Sequence, residues 1–91
     1  MQERAKTFAM MEYVDLMLEA YEKHAKRIGG VYLRRYQILY DLFINNKPLP
    51  VSACSEKYHI SIPLIYKDRN IAISNFSVFL FGLNALRTKG F

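Results

Sequence analysis

The 91-residue sequence predicts a small all-α domain of about four helices, a long N-terminal helix followed by a second helix and a helix-turn-helix. Three observations predict it. Residues 4–28 contain neither glycine nor proline and are rich in Ala, Leu, Met, Glu and Lys, the residues that lose least on entering a helix. Further helical periodicities follow, broken by Gly29-Gly30, by Asn45-Asn46 with Pro48 and Pro50, and by a short gap at His59-Ile60, all of them signals that end helices. Hydrophobic residues make up 52% of the chain and charged residues 23%, a globular composition with enough apolar surface for one core, so residues 1–91 form a single domain.

The first helix is expected over residues 1–29. Met10, Val14, Met17, Tyr21, His24 and Ile28 recur at steps of four and three, which lines them along one face, and Met11, Leu18 and Ala25 widen the stripe. A stripe this wide serves either packing within the domain or a seam between two copies, and Met10, Val14, Met17 and Tyr21 are the candidate dimerisation residues. Lys23, Lys26 and Arg27 near the C-terminus complement the helix dipole before Gly29-Gly30 stops the helix.

The next unit spans residues 31–82. A second helix is expected from Val31 to Asn45, with Leu33, Tyr36, Tyr40 and Phe43 on one face and Ile38, Leu42 and Asn45 on another. A short helix follows through about Tyr58, with Ser52 as its candidate N-cap. His59-Ile60 is the turn, and Ser61 is the candidate cap of a last helix that holds Pro63 in its first turn, where a missing N–H does no harm. That helix closes at Gly82, and residues 83–91 read as a basic tail. Cys54, Ile60, Ile65, Ala72 and Phe76, with Leu80 beyond, are spaced to seal the helix pair against the second helix, which makes Cys54 a small buried hydrophobe.

Net charge is +5, and its distribution is uneven. Residues 1–29 hold five basic and five acidic side chains, while residues 30–91 hold eight basic against three acidic. A localised basic surplus suits a polyanionic partner. The helix-turn-helix supplies a place for one: in that motif the second helix enters the major groove while the first crosses the backbone. Ser61, Ile62, Pro63, Tyr66, Lys67 and Asn70 are the candidate reading residues. Lys67 can donate to guanine or phosphate, Asn70 can pair with adenine or phosphate, Tyr66 can reach a phosphate, and Ile62 or Pro63 can touch a thymine methyl. Ser52, Lys57, Arg34 and Arg35 are candidate phosphate contacts. Two copies on a palindrome would place half-site centres about one helical turn apart.

The stretch Val51–Gly82, above all HISIPLIYKDRNIAISNFSVFLFG, resembles the C-terminal helix-turn-helix of small phage and mobile-element regulators of the ArpU and RinA kind, themselves similar to region 4 of sigma factors. The resemblance is carried by Ser61, Ile65-Tyr66-Lys67-Asp68, Ala72-Ile73 and Phe79-Leu80-Phe81-Gly82, with RRYQILYDLFI (Arg34–Ile44) similar to the helix that precedes the motif. It implies a DNA-binding transcription regulator. The chain departs from the pattern in three places: His59 stands where glycine is usual, Pro63 where a polar reading residue is usual, and Arg69 where an aliphatic residue is usual. The alternative is therefore a helix-turn-helix turned to binding protein, RNA polymerase or a host-defence protein, through Tyr66, Phe79, Phe81 and the first helix.

Other classes find little support. His24 and His59 lie in different elements with no Cys, Asp or Glu at metal-ligand spacing, and no glycine-rich phosphate loop is present, so neither an enzyme, nor a metal, nor a cofactor is expected. The N-terminal apolar stretch Phe8–Leu18 is interrupted by Glu12 and Asp15, so no membrane anchor is expected. A single cysteine and no recognisable secretory signal point to a reducing, cytoplasmic setting.

Overall fold

The computed structural model describes the backbone of residues 2–88 and the side chains of residues 10–82. Four helices account for the fold, with no strand among the described residues. Helix α1 is Gln2–Ile28. It stops where Gly29 and Gly30 adopt φ of +74° and +56°, a region that L side chains rarely enter. The Gly29 N–H closes the last turn on the Ala25 carbonyl at 2.8 Å, and Leu33 N–H reaches back to the Gly29 carbonyl at 3.3 Å. A single residue thus separates α1 from α2, Gly30–Leu39.

Regular α geometry does not continue to Asn45 as expected. Tyr40–Ile44 forms a π turn instead, closed by Asn45 N–H on the Tyr40 carbonyl at 2.9 Å. The wider turn changes the phase of the side chains beyond it. Tyr36, Ile38, Leu39 and Asp41 are buried, whereas Tyr40 and Phe43, expected on the packing face with Leu33 and Tyr36, are exposed. The connection to the next helix is tied down by Lys47 N–H on Asn45 Oδ1 at 3.3 Å and by Leu49 N–H on the Asp41 carbonyl at 2.8 Å.

Helix α3 is Val51–Tyr58 and α4 is Ile62–Thr88. Ser52 does not cap α3: the helix begins two residues earlier than such a cap would set it, with Pro50 in the cap position, its carbonyl accepting from Cys54 N–H at 3.1 Å and no side-chain cap bond. Proline's fixed φ, −68° here, leaves the chain extended just before the first turn, which sets the start without a serine. In α4, Gly82 breaks the helical path with φ of +50°, where the closing glycine was expected. Residues 83–88 resume helical backbone beyond that kink in place of the expected tail, whose residues 89–91 lie outside the described residues.

The core divides into two clusters on either side of α2. One holds Tyr21 and Ala25 of α1, Tyr36 and Leu39 of α2 and Ala72 of α4, with Phe76 and Phe79 packed against them. Tyr21 is its centre, edge-on to Tyr36 at a centroid distance of 5.1 Å and stacked on Phe79 at 5.3 Å, contacts that each add about 0.5–1.5 kcal/mol beyond burial. Tyr21 is fully buried there. It is therefore consumed by its own domain and unavailable to a dimer seam, unlike the exposed Met10 and Val14. The other cluster joins Ile38, Cys54 and Ile65, with Leu42, Tyr58 and Ile60 at its edge. Ala72 and Phe76 belong to the first cluster and not to the seal around α3, because the helix carries them a turn or more beyond the short α3 and onto α1.

Candidate nucleic-acid interface

The turn between α3 and α4 is built by one serine. Ser55 Oγ–H donates to the Ile60 carbonyl at 2.5 Å, and the Ser55 carbonyl accepts from Ile60 N–H at 3.2 Å and from His59 N–H. Those bonds hold His59 at φ 55° and ψ 43°, the left-handed conformation that the turn requires. Ser61 then opens α4: its Oγ accepts from Leu64 N–H at 3.4 Å and its carbonyl from Ile65 N–H at 3.0 Å.

Helical phase divides α4 into two faces. Ile65, Asp68 and Ala72 point inward and are fully buried. Ile62, Pro63, Tyr66, Lys67, Asn70, Ile73 and Ser74 share the outward face and are exposed. The expected reading residues are thus brought onto one continuous surface that begins at the turn. Sequence reasoning missed a member of it. Arg69 lies over the Tyr66 ring at 5.0 Å and donates to Asn70 Oδ1 from Nε at 3.1 Å and Nη2 at 2.9 Å. The signal is the three-residue spacing of Tyr66 and Arg69, which makes them neighbours on a helix. With Oδ1 engaged by Arg69, two-point pairing of Asn70 with adenine requires it to leave that partner.

The expected phosphate contacts sit differently. Arg34 Nε donates to Asp68 Oδ2 at 2.8 Å and Arg35 Nε to Asp68 Oδ1 at 3.2 Å, bridging α2 to the buried side of α4. Lys57 Nζ donates to Asp41 Oδ2 at 2.8 Å, and the Tyr58 hydroxyl donates to the same oxygen, bridging α3 to the π turn. Both carboxylates are buried. Three of the four phosphate candidates therefore hold the helix-turn-helix to its support, since an unpaired carboxylate at either site would be left in a dry interior. Ser52, the fourth, is exposed in the first turn of α3, and Lys47 and Lys67 are exposed.

Burial raises the Tyr58 phenol well above the usual tyrosine range, aided by its bond to Asp41 and that charge. Burial, then the Glu22 carboxylate that accepts the Tyr36 hydroxyl at 3.1 Å, does the same for Tyr36. Cys54 is fully buried, and burial followed by the Asp41 charge pushes its thiol up, which suppresses the reactive thiolate. His24 stacks edge-on against Tyr32 and bonds Arg27 through Nδ1 at 2.9 Å. Among the described residues no cluster of metal-ligating side chains forms, and no helix is long and apolar enough to cross a membrane.

No family model, curated protein or solved structure matches this chain.

Proposed function

We propose that the chain is a DNA-binding transcription regulator of phage or mobile-element type, acting in the cytoplasm, with α4 entering the major groove from Ile62 onward. The observation that carries this reading is the outward face of α4. A three-residue turn delivers a capped helix whose first three turns keep Tyr66, Lys67, Arg69 and Asn70 together at the surface while the opposite side is locked into the core. Lysine, an arginine prepositioned on an aromatic ring and an exposed amide are donors suited to phosphates and to the acceptor-rich edge of guanine. The sequence resemblance to the ArpU and RinA kind points the same way, and the charge surplus of residues 30–91 supports it.

A second reading, docking on a protein such as RNA polymerase or a host-defence factor, is favoured by one observation. Ile62, Tyr66 and Ile73 are 44%, 43% and 44% exposed along one edge of the same face, an apolar edge of the kind that anchors protein interfaces.

Fluorescence anisotropy with random-sequence duplex DNA across a salt series separates the two. The DNA reading expects binding at low salt that falls steeply as salt rises, and a Lys67→Ala variant whose salt slope is shallower by about one. Absence of binding at low salt would overturn it in favour of a protein target. Arg34→Ala and Arg35→Ala are poor probes of DNA contact, because each strips a partner from buried Asp68.

A further inference from the structure

Arg69 is held differently from the other cations of the helix-turn-helix and its supporting helix. Arg34, Arg35 and Lys57 each end on a buried carboxylate, whereas Arg69 pairs with no carboxylate among the described residues. Its charge is uncommitted. The side chain leaves the flank of α4 one turn beyond buried Ile65 and reaches across to two exposed neighbours: its guanidinium carbon lies 5.0 Å from the centre of the Tyr66 ring, and Nε and Nη2 both donate to Asn70 Oδ1, at 3.1 and 2.9 Å. One holder takes the planar face and the other takes an edge. A guanidinium carries five N–H donors in a rigid fork. Bonding a single acceptor through Nε and Nη2 uses the side edge and leaves the end edge, where Nη1 and Nη2 carry two parallel N–H bonds. That edge suits a group with two adjacent acceptors, the O6 and N7 of guanine or two oxygens of a phosphate. Position on the helix favours guanine. Arg69 lies about 10 Å along α4 from Ile62, within the turns that meet base edges in this motif, and Pro63 in the first turn has no donor to offer.

We infer that Arg69 is the base-reading residue of α4 and selects a guanine, with Tyr66 and Asn70 acting as its holders and not as readers in their own right. The inference rests on the reading of α4 as a DNA-binding helix and gives that helix a defined partner, a duplex with one required G·C pair. Holding the side chain before contact matters, because a free arginine loses much rotamer freedom when it is ordered at an interface. Here the aromatic ring and the amide oxygen have already restricted it. Asn70 keeps its acceptor oxygen on Arg69, so it does not pair with adenine. Lys67, a flexible point charge exposed beside this group, is left to the phosphates.

The test is selection of bound duplexes from a randomised library by the full chain, then fluorescence anisotropy on the selected duplex and its single-base variants across a salt series. The unaltered chain should require one G·C pair, whose replacement weakens binding about ten- to a hundredfold. Arg69→Ala should erase that preference and leave the salt slope unchanged, as a base contact does. Asn70→Ala and Tyr66→Leu should each relax the same base pair in part, and adding either to Arg69→Ala should cost that pair nothing further. Thermal melts check folding, and if Arg69→Ala unfolds, Asn70→Ala at its exposed position decides alone. Relaxation of a different base pair by Asn70→Ala would overturn the inference, because Asn70 would then read a base itself. A preference left intact at every position by Arg69→Ala would also overturn it, as would a uniform loss with a salt slope shallower by about one, the mark of a phosphate contact. Those three results leave the DNA reading standing. Binding to no duplex at low salt overturns both.

Discussion

Replacing Asp68 with alanine tests whether α4 is held to α2 by the buried carboxylate. Asp68 is fully buried and accepts from Arg34 at 2.8 Å and Arg35 at 3.2 Å. Removing one partner from a buried ion pair costs about 3–5 kcal/mol, because the charge left behind is uncompensated. Here both arginine side chains are 26% exposed and can regain part of their hydration, so the lower end applies, about 3 kcal/mol. In a domain of this size each kcal/mol moves the melting point by about 4–8 °C, which sets the expected drop at roughly 12–24 °C. Asp68→Asn keeps an acceptor oxygen and the shape of the side chain, and should lose about half as much. Exchanging all three residues for leucine or methionine removes the charges together and should bring stability back to within about 1 kcal/mol of the original, since apolar packing replaces desolvated ions well. The assay is urea unfolding followed by far-ultraviolet circular dichroism. An Asp68→Ala variant within about 0.5 kcal/mol of the original would refute the reasoning, and Arg34 and Arg35 would then be available for contacts outside the domain.

Gly29→Ala should destabilise by about 1–3 kcal/mol in the same assay, because φ 74° with ψ −165° is a region essentially reserved for glycine; a new Cβ meets nothing within 4 Å, so the penalty is backbone strain alone. His59→Gly should raise stability by about 0.5–1 kcal/mol, the left-handed strain relieved being partly offset by glycine's greater freedom when unfolded. Tyr21→Phe removes a buried hydroxyl that has Asn75 beside it but makes no hydrogen bond of normal geometry, and should be close to neutral in a thermal melt. The stability contributed by Tyr36 and Tyr58 should be fully present below about pH 10 and fall away above it, as the unfolded chain releases phenolic protons that both residues retain in the folded state; Tyr58→Phe should make the alkaline decline shallower, and a decline of unchanged steepness would exclude Tyr58 as a contributor.

What the sequence made legible was local. Gly29-Gly30 as a stop, His59 in the turn, Ser61 as a cap, Pro63 in a first turn and Gly82 as a break each depend on the conformational limits of one residue and its near neighbours. The cap of α3 falls at Pro50, which fixes the entry without a side-chain bond, so Ser52 two residues later, already inside the first turn, has nothing to cap. The π turn left no mark in the residue pattern, since an extra residue in a turn alters phase and not composition, and it sent Tyr40 and Phe43 to the surface. The fate of the cations was hidden for another reason: Arg34 and Asp68 are 34 positions apart, and Lys57 and Asp41 are 16 apart. Adding up charge along the chain treats such acids as neutralising nothing in particular. The clue was nonetheless present, because Asp68 falls in phase with Ile65 and Ala72, and an acid on the buried side of a helix demands a cation from the element it faces.

The separation of α4 into an inward set and an outward set has an evolutionary consequence. Ile65, Asp68 and Ala72 anchor the helix, while Ile62, Tyr66, Lys67, Asn70 and Ile73 contribute little to folding, and exposed positions of that kind usually tolerate exchange within about 0.5 kcal/mol. Successive substitutions there can change what the surface recognises while the domain stays above its stability threshold. A lineage under pressure to follow a changing target could therefore rewrite this helix one outward residue at a time, without a compensating change anywhere in the scaffold.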